Sequence, residues 1–91
     1  MTMQIHTINT DISLEDQIIT NISWSLNISS QRLKYYTHFV DDLHLDDVDM
    51  MLLIASLESH LNLYLSREEV DGIETMGDLN KCFQQQLAVA A

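Results

Sequence analysis

Ninety-one residues with an ordinary apolar share make one small domain, which can close a single core but holds little stability in reserve. Fourteen acids against four bases (Arg32, Lys34, Arg67, Lys81) leave a formal charge of −10. Such a surface repels nucleic acid and anionic membranes and steers the protein toward basic patches on partner proteins.

Residues 1–12 show no clear period and are expected to form a loose leader, followed by a helical domain over 13–87 and a frayed end over 88–91. Met1 to His6 carry neither a basic nor an apolar targeting segment, so the expected location is the cytoplasm. Ser13-Leu14-Glu15-Asp16 reads as a capping start, with a hydroxyl N-cap and acids in the first turn. Leu14, Ile18, Ile22 and Leu26 follow at four-residue steps beside Ile19, which predicts a helix α1 to about residue 27. Trp24 falls off that stripe and either covers a core edge or faces solvent.

Residues 28–45 form a long connection in which Ile28, Leu33 and Phe39 are placed to plug into the core, so an ordered loop is expected. Asp46 is a good N-cap for a helix α2 running to about residue 61, with Asp47 and Asp49 in its first turn. Two apolar stripes share this helix. Met50, Leu53, Ile54, Leu57 and Leu61 are assigned to the core, and Val48, Met51, Leu52 and Ala55 are left exposed, bordered by Asp47 and Glu58. A second capping box, Ser66-Arg67-Glu68-Glu69, opens a short helix α3 that Gly72 is suited to end. Thr75-Met76-Gly77-Asp78 opens helix α4, with Met76, Leu79, Cys82, Phe83 and Leu87 pointing inward. The expected fold is all-α: three main helices, one short helix, and a long loop between α1 and α2.

Chemistry of the kinds that enzymes carry is missing from the pattern. His6, His38, His44 and His60 are scattered without metal-ligand spacing, and His38 and His44 read as solvated loop residues. Cys82 is the single cysteine; it fits a reducing compartment and reads as a buried inert thiol. No nucleophile triad, phosphate loop or catalytic carboxylate pair stands out, so no enzyme and no metal are expected.

Five segments share their spacing with one family: Phe39-Val40-Asp41-Asp42-Leu43, then Asp46-x-Val48-Asp49, Leu57-Glu58-x-x-Leu61, Leu65-Ser66-x-Glu68-Glu69 and Ile73-x-Thr75. Over residues 14–83, without a gap, the chain resembles an acyl carrier protein. The resemblance implies a helical bundle that carries acyl or aminoacyl groups for enzymes docking on α2. It also implies a serine at the start of α2 whose hydroxyl accepts 4′-phosphopantetheine from coenzyme A. The corresponding tripeptide here is Asp46-Asp47-Val48, and a carboxylate cannot make that phosphodiester. No cofactor is therefore expected; the arm would need a serine at position 47. The glycine usual in the preceding loop is His44, which suggests a junction that has drifted beyond one position.

Within the same resemblance, Asp49 and Glu58 match the docking acids, and Val48, Met51 and Ala55 match the apolar contact positions. Leu52 and Ser59 stand where acids are usual, and Arg67 replaces another acid on α3. A thinner acidic ring and a larger apolar patch favour one dedicated protein partner with a basic and apolar docking patch. The expected partner surface is Asp46, Asp47, Val48, Asp49, Met51, Leu52, Ala55 and Glu58. Two functions follow. One is an unprimed interaction or regulatory partner of fatty-acid or polyketide-type biosynthetic enzymes. The other is a genuine carrier whose attachment serine has been replaced by Asp47.

Overall fold

A computed structural model describes residues 13–90, so the leader expected over 1–12 lies outside the described residues, as does Ala91. Four α-helices and one short 3-10 turn make up the described fold: α1 Leu14–Leu26, the turn Ser30–Arg32, α2 Asp47–Leu61, α3 Arg67–Asp71 and α4 Met76–Ala90. Local chemistry sets most of the boundaries. Ser13 Oγ accepts the Asp16 N–H at 3.1 Å to open α1, and Asn27 closes it in the left-handed region at φ 56°. Ile18 and Ile22 are fully buried, while Trp24 is 82% exposed and so faces solvent.

The long loop is ordered by two devices. Leu33 and Phe39 insert into the core as expected. The second device is a backbone ladder to the segment before α4. The N–H groups of Gly77 and Met76 donate to the carbonyls of Tyr35 and Thr37 at 2.7 and 2.9 Å, and Phe39 N–H donates to Glu74 O at 2.9 Å. His38 and Thr75 form an antiparallel bridge within it. Gly77 is needed here because a Cβ would come within 2.9 Å of Tyr35 O. Thr37 is buried, with its hydroxyl donating to Arg32 O and accepting from Lys34 N–H, so a polar side chain joins the core fully bonded.

His38 corrects the expectation of a solvated loop histidine. Its Nδ1 accepts the N–H groups of Val40 and Asp41 at 3.2 and 3.1 Å, and its own N–H donates to Asp42 Oδ2 at 2.7 Å. The ring is a structural part of the turn that leads to α2.

In α2, Leu53, Ile54 and Leu57 are buried and Met50 and Leu61 pack at the core edge, as the first stripe predicts. The helix runs opposite to α1, since Asn21 meets Ser56 while Leu26 lies against Leu52 and Leu53. Asn62 ends α2 at φ 57°. The box on α3 is complete, with Ser66 and Glu69 exchanging bonds at 2.8 and 3.1 Å. Gly72 follows α3, but at φ −88° it takes a right-handed conformation open to any residue.

Met76, Leu79 and Phe83 bury the inner face of α4, and Cys82 is half-buried. Leu87, expected inward, is 45% exposed. Gln86 takes the inward place at that turn and reaches both carboxylate oxygens of Glu69 at 3.3 and 3.4 Å. The helix continues to Ala90, past the boundary expected at 87. Among the described residues, no helix is long and apolar enough to cross a membrane.

Candidate functional site

The start of α2 carries three of the four acids of the expected partner surface, with Glu58 near the other end of the helix, and the structure divides them by what they bond. Asp46 Oδ1 accepts the Asp49 N–H at 2.8 Å, and Asp49 Oδ2 accepts the Asp46 N–H at 3.1 Å. This reciprocal box satisfies two N–H groups that the helix itself leaves without partners. Glu58, half-buried, accepts the Leu65 N–H at 2.8 Å and so fixes the loop after α2. Asp47 is exposed, and among the described residues its carboxylate has no hydrogen bond or ion pair. Three of these four acids therefore hold the fold, and Asp47 is left without a partner among the described residues.

The apolar members of the expected surface are all exposed. Val48 is 56% exposed, Met51 and Leu52 are each 62% exposed, and Ala55 lies exposed beside them. They form a ridge and not a flat patch. Leu52 and Asp49 border a groove toward Ser25 and Leu26 of α1. Met51, Ala55 and Asp47 border a second groove toward α3, which also takes in Arg67, Val70, Asp71 and Ile73. Sequence reading missed this second groove because its walls come from separate segments. The one available hint is the apolar pair Leu65 and Val70 flanking a capping box too short to bury a full face.

The first turn of α2 holds no hydroxyl to which a phosphopantetheine arm could be joined. The first residue of α2 offers a carboxylate where the bond needs a hydroxyl. Thr37 is buried with both of its bonds made, and Ser56 turns toward Asn21 of α1. The titrating groups that depart from ordinary values lie elsewhere. Glu69 is held below the usual range chiefly by the Ser66 N–H, and Asp78 chiefly by the Glu74 N–H, then by Thr75. Burial, aided by Glu69 and Asp78, pushes the Cys82 thiol up, which disfavours the nucleophilic thiolate. No group of three or more potential metal ligands occurs among the described residues.

Comparison with known proteins supplies the context for this geometry. The chain is 31% identical over 75 residues to the acyl carrier protein of Chlamydia trachomatis serovar D, a match that covers 82% of this chain and 97% of that one. It is 31% identical over 68 residues to the acyl carrier protein of Wolinella succinogenes, covering 75% and 90% of the two chains. A solved structure of a candidate acyl carrier protein from Mycobacterium tuberculosis superposes with a TM-score of 0.70 at 25% identity, over 87% of this chain and all of the other. A scan against family models finds no match.

Proposed function

The chain belongs to the acyl carrier protein family, and from that premise we propose that it acts unprimed, as an interaction or regulatory partner of acyl biosynthetic enzymes in the cytoplasm. One observation supports the reading: Asp47 is exposed and unbonded at the first residue of α2, the position to which the family resemblance assigns the attachment serine. The partner would meet the α2 face with a basic and apolar patch, the bases drawn by Asp47 and the net charge, the apolar part covering Val48, Met51 and Leu52. The Asp47 carboxylate also brings negative charge to roughly the place where a primed carrier holds its phosphate, so a partner that reads that charge would meet it permanently.

The test is an intact-mass measurement after incubation with coenzyme A and a broad phosphopantetheinyl transferase, on the wild type and on Asp47→Ser. The expected result is no added arm on either protein. An arm on the wild type would sink the reading. An arm on the variant alone favours the second reading, a carrier whose serine was replaced. That alternative has one feature behind it: His44 keeps a left-handed φ of 59°, the conformation that a glycine in that loop would supply. In parallel, Leu52→Glu is expected to weaken recovery of native partners, and unchanged recovery counts against docking on the ridge.

A further inference from the structure

The turn before α2 is closed at its start by an imidazole. We propose that His38 is a proton-operated cap: the neutral ring holds this turn, and the protonated ring releases it. His38 Nδ1 accepts the N–H groups of Val40 and Asp41 at 3.2 and 3.1 Å, and Asp42 Oδ2 accepts the His38 N–H in return at 2.7 Å. This is the reciprocal arrangement that opens a helix, with a ring nitrogen where a hydroxyl or carboxylate oxygen usually sits. The difference is chemical. A hydroxyl oxygen keeps its lone pairs throughout the pH range in which histidine titrates. Nδ1 has a single lone pair, and a proton placed there turns the acceptor into a donor facing two donors. Acceptance at Nδ1 also fixes the neutral tautomer, with the ring hydrogen on Nε2.

The charged ring has a second place to go. Nε2 lies 3.8 Å from Asp41 Oδ2, so a small rotation pairs the imidazolium with that carboxylate while Nδ1 leaves the two N–H groups. The other charged or titrating groups around it are Asp42 and His44 on the same turn, Lys34 before it in the loop, and Glu74 and Asp78 beside Thr75 across the bridge. Release stays local, because Phe39 is buried and its N–H is bonded to Glu74 O. What loosens is the stretch after it, where Val40 O accepts the His44 N–H at 2.9 Å. Val40 is 53% exposed and borders Asp47 and Met51, so the state of the ring is felt at the α2 face.

The experiment is nitrogen NMR on the free full chain at about pH 7.5 and about pH 5.5, on either side of the histidine range. Imidazole nitrogen shifts report the tautomer. Amide exchange, corrected for its intrinsic dependence on pH, reports how well the Val40 and Asp41 N–H groups are held. At the higher pH the His38 ring is expected to carry its hydrogen on Nε2. At the lower pH the protection of both amides is expected to fall at least about threefold, as the loss of one hydrogen bond each predicts. His38→Ser keeps an acceptor that does not titrate, so its two amides are expected to change by less than about 1.5-fold. A ring hydrogen on Nδ1 at the higher pH overturns the proposal, and so does wild-type protection that does not fall. An equal fall in His38→Ser overturns it too, by assigning the change to His44 or the acids. The wild-type readings hold their force even where the variant fails to fold. All are taken on the free chain, so they stand or fall apart from docking on α2.

Discussion

His44 holds φ 59°, where a side chain crowds its own backbone and glycine does not. Its N–H donates to Val40 O at 2.9 Å and the Leu45 N–H donates to Phe39 O at 3.0 Å, so the surrounding turn forces the conformation. The sequence suggested a junction that had drifted here. The backbone instead keeps the path that a glycine would take, with the cost carried by one exposed histidine. His44→Gly is therefore expected to stabilise the protein by about 0.5–1 kcal/mol, and His44→Val to destabilise it by about 1–2 kcal/mol, both read from urea midpoints. A glycine variant no more stable than wild type would mean that the imidazole makes up the strain through contacts of its own.

At the scale of elements, α4 depends on one carboxylate. Asp78 Oδ2 accepts the N–H groups of Glu74 and Thr75 at 3.0 and 3.1 Å, and Thr75 Oγ1 accepts the Asp78 N–H in return. The Glu74 bond first, then those of Thr75, hold Asp78 below its ordinary 3.8, and Ser66 holds Glu69 below its ordinary 4.5. A carboxyl depressed in the folded state stabilises the fold fully above its unfolded value, and that contribution is lost as pH falls through the folded one. Urea unfolding across an acid series should show stability dropping from these ordinary values downward. Asp78→Asn should lower stability at neutral pH by about 1 kcal/mol and flatten the acid limb. An unchanged acid limb in the variant would assign the pH dependence to other groups.

Such caps were legible in the sequence because each is written locally, as a hydroxyl or acid three residues from its partner. Ser13, Asp46 and Ser66 all sit where the pattern puts them. The ladder joining residues 35–39 to 74–77 was not legible, since backbone N–H and carbonyl groups leave no mark on side-chain identity. Leu87 misled for the opposite reason: its spacing fits the inward stripe, yet the bundle offers Glu69 at that turn and Gln86 answers it. At the site, the exposed ridge followed from helical period, whereas the division of acids into bonded and free required the three-dimensional arrangement.

For the molecule as a whole, charge is the dominant unsettled term. Among the described residues no carboxylate lies within 4 Å of a lysine or arginine, and His38 approaches Asp41 at 3.8 Å, so the excess of acids is left largely unneutralised by bases. Repulsion of this kind loosens the compact state and is screened by salt. The melting temperature at neutral pH is expected to rise as sodium chloride goes from about 0.01 to about 0.15 M, over which the Debye length shrinks from about 30 to about 8 Å. A melting temperature that falls over that range would show that attractive pairs outweigh the repulsion.

The cap of α2 carries a last consequence. Asp46 and Asp49 fasten the helix start between them, one on each side of position 47, and leave that side chain no structural duty beyond a favourable charge near the helix end. Exchanging it for a serine forfeits only about 0.3–1 kcal/mol. Helix stability alone therefore tolerates either residue at position 47 at nearly equal cost. The acid at position 47 is thus a residue that the fold permits and does not require.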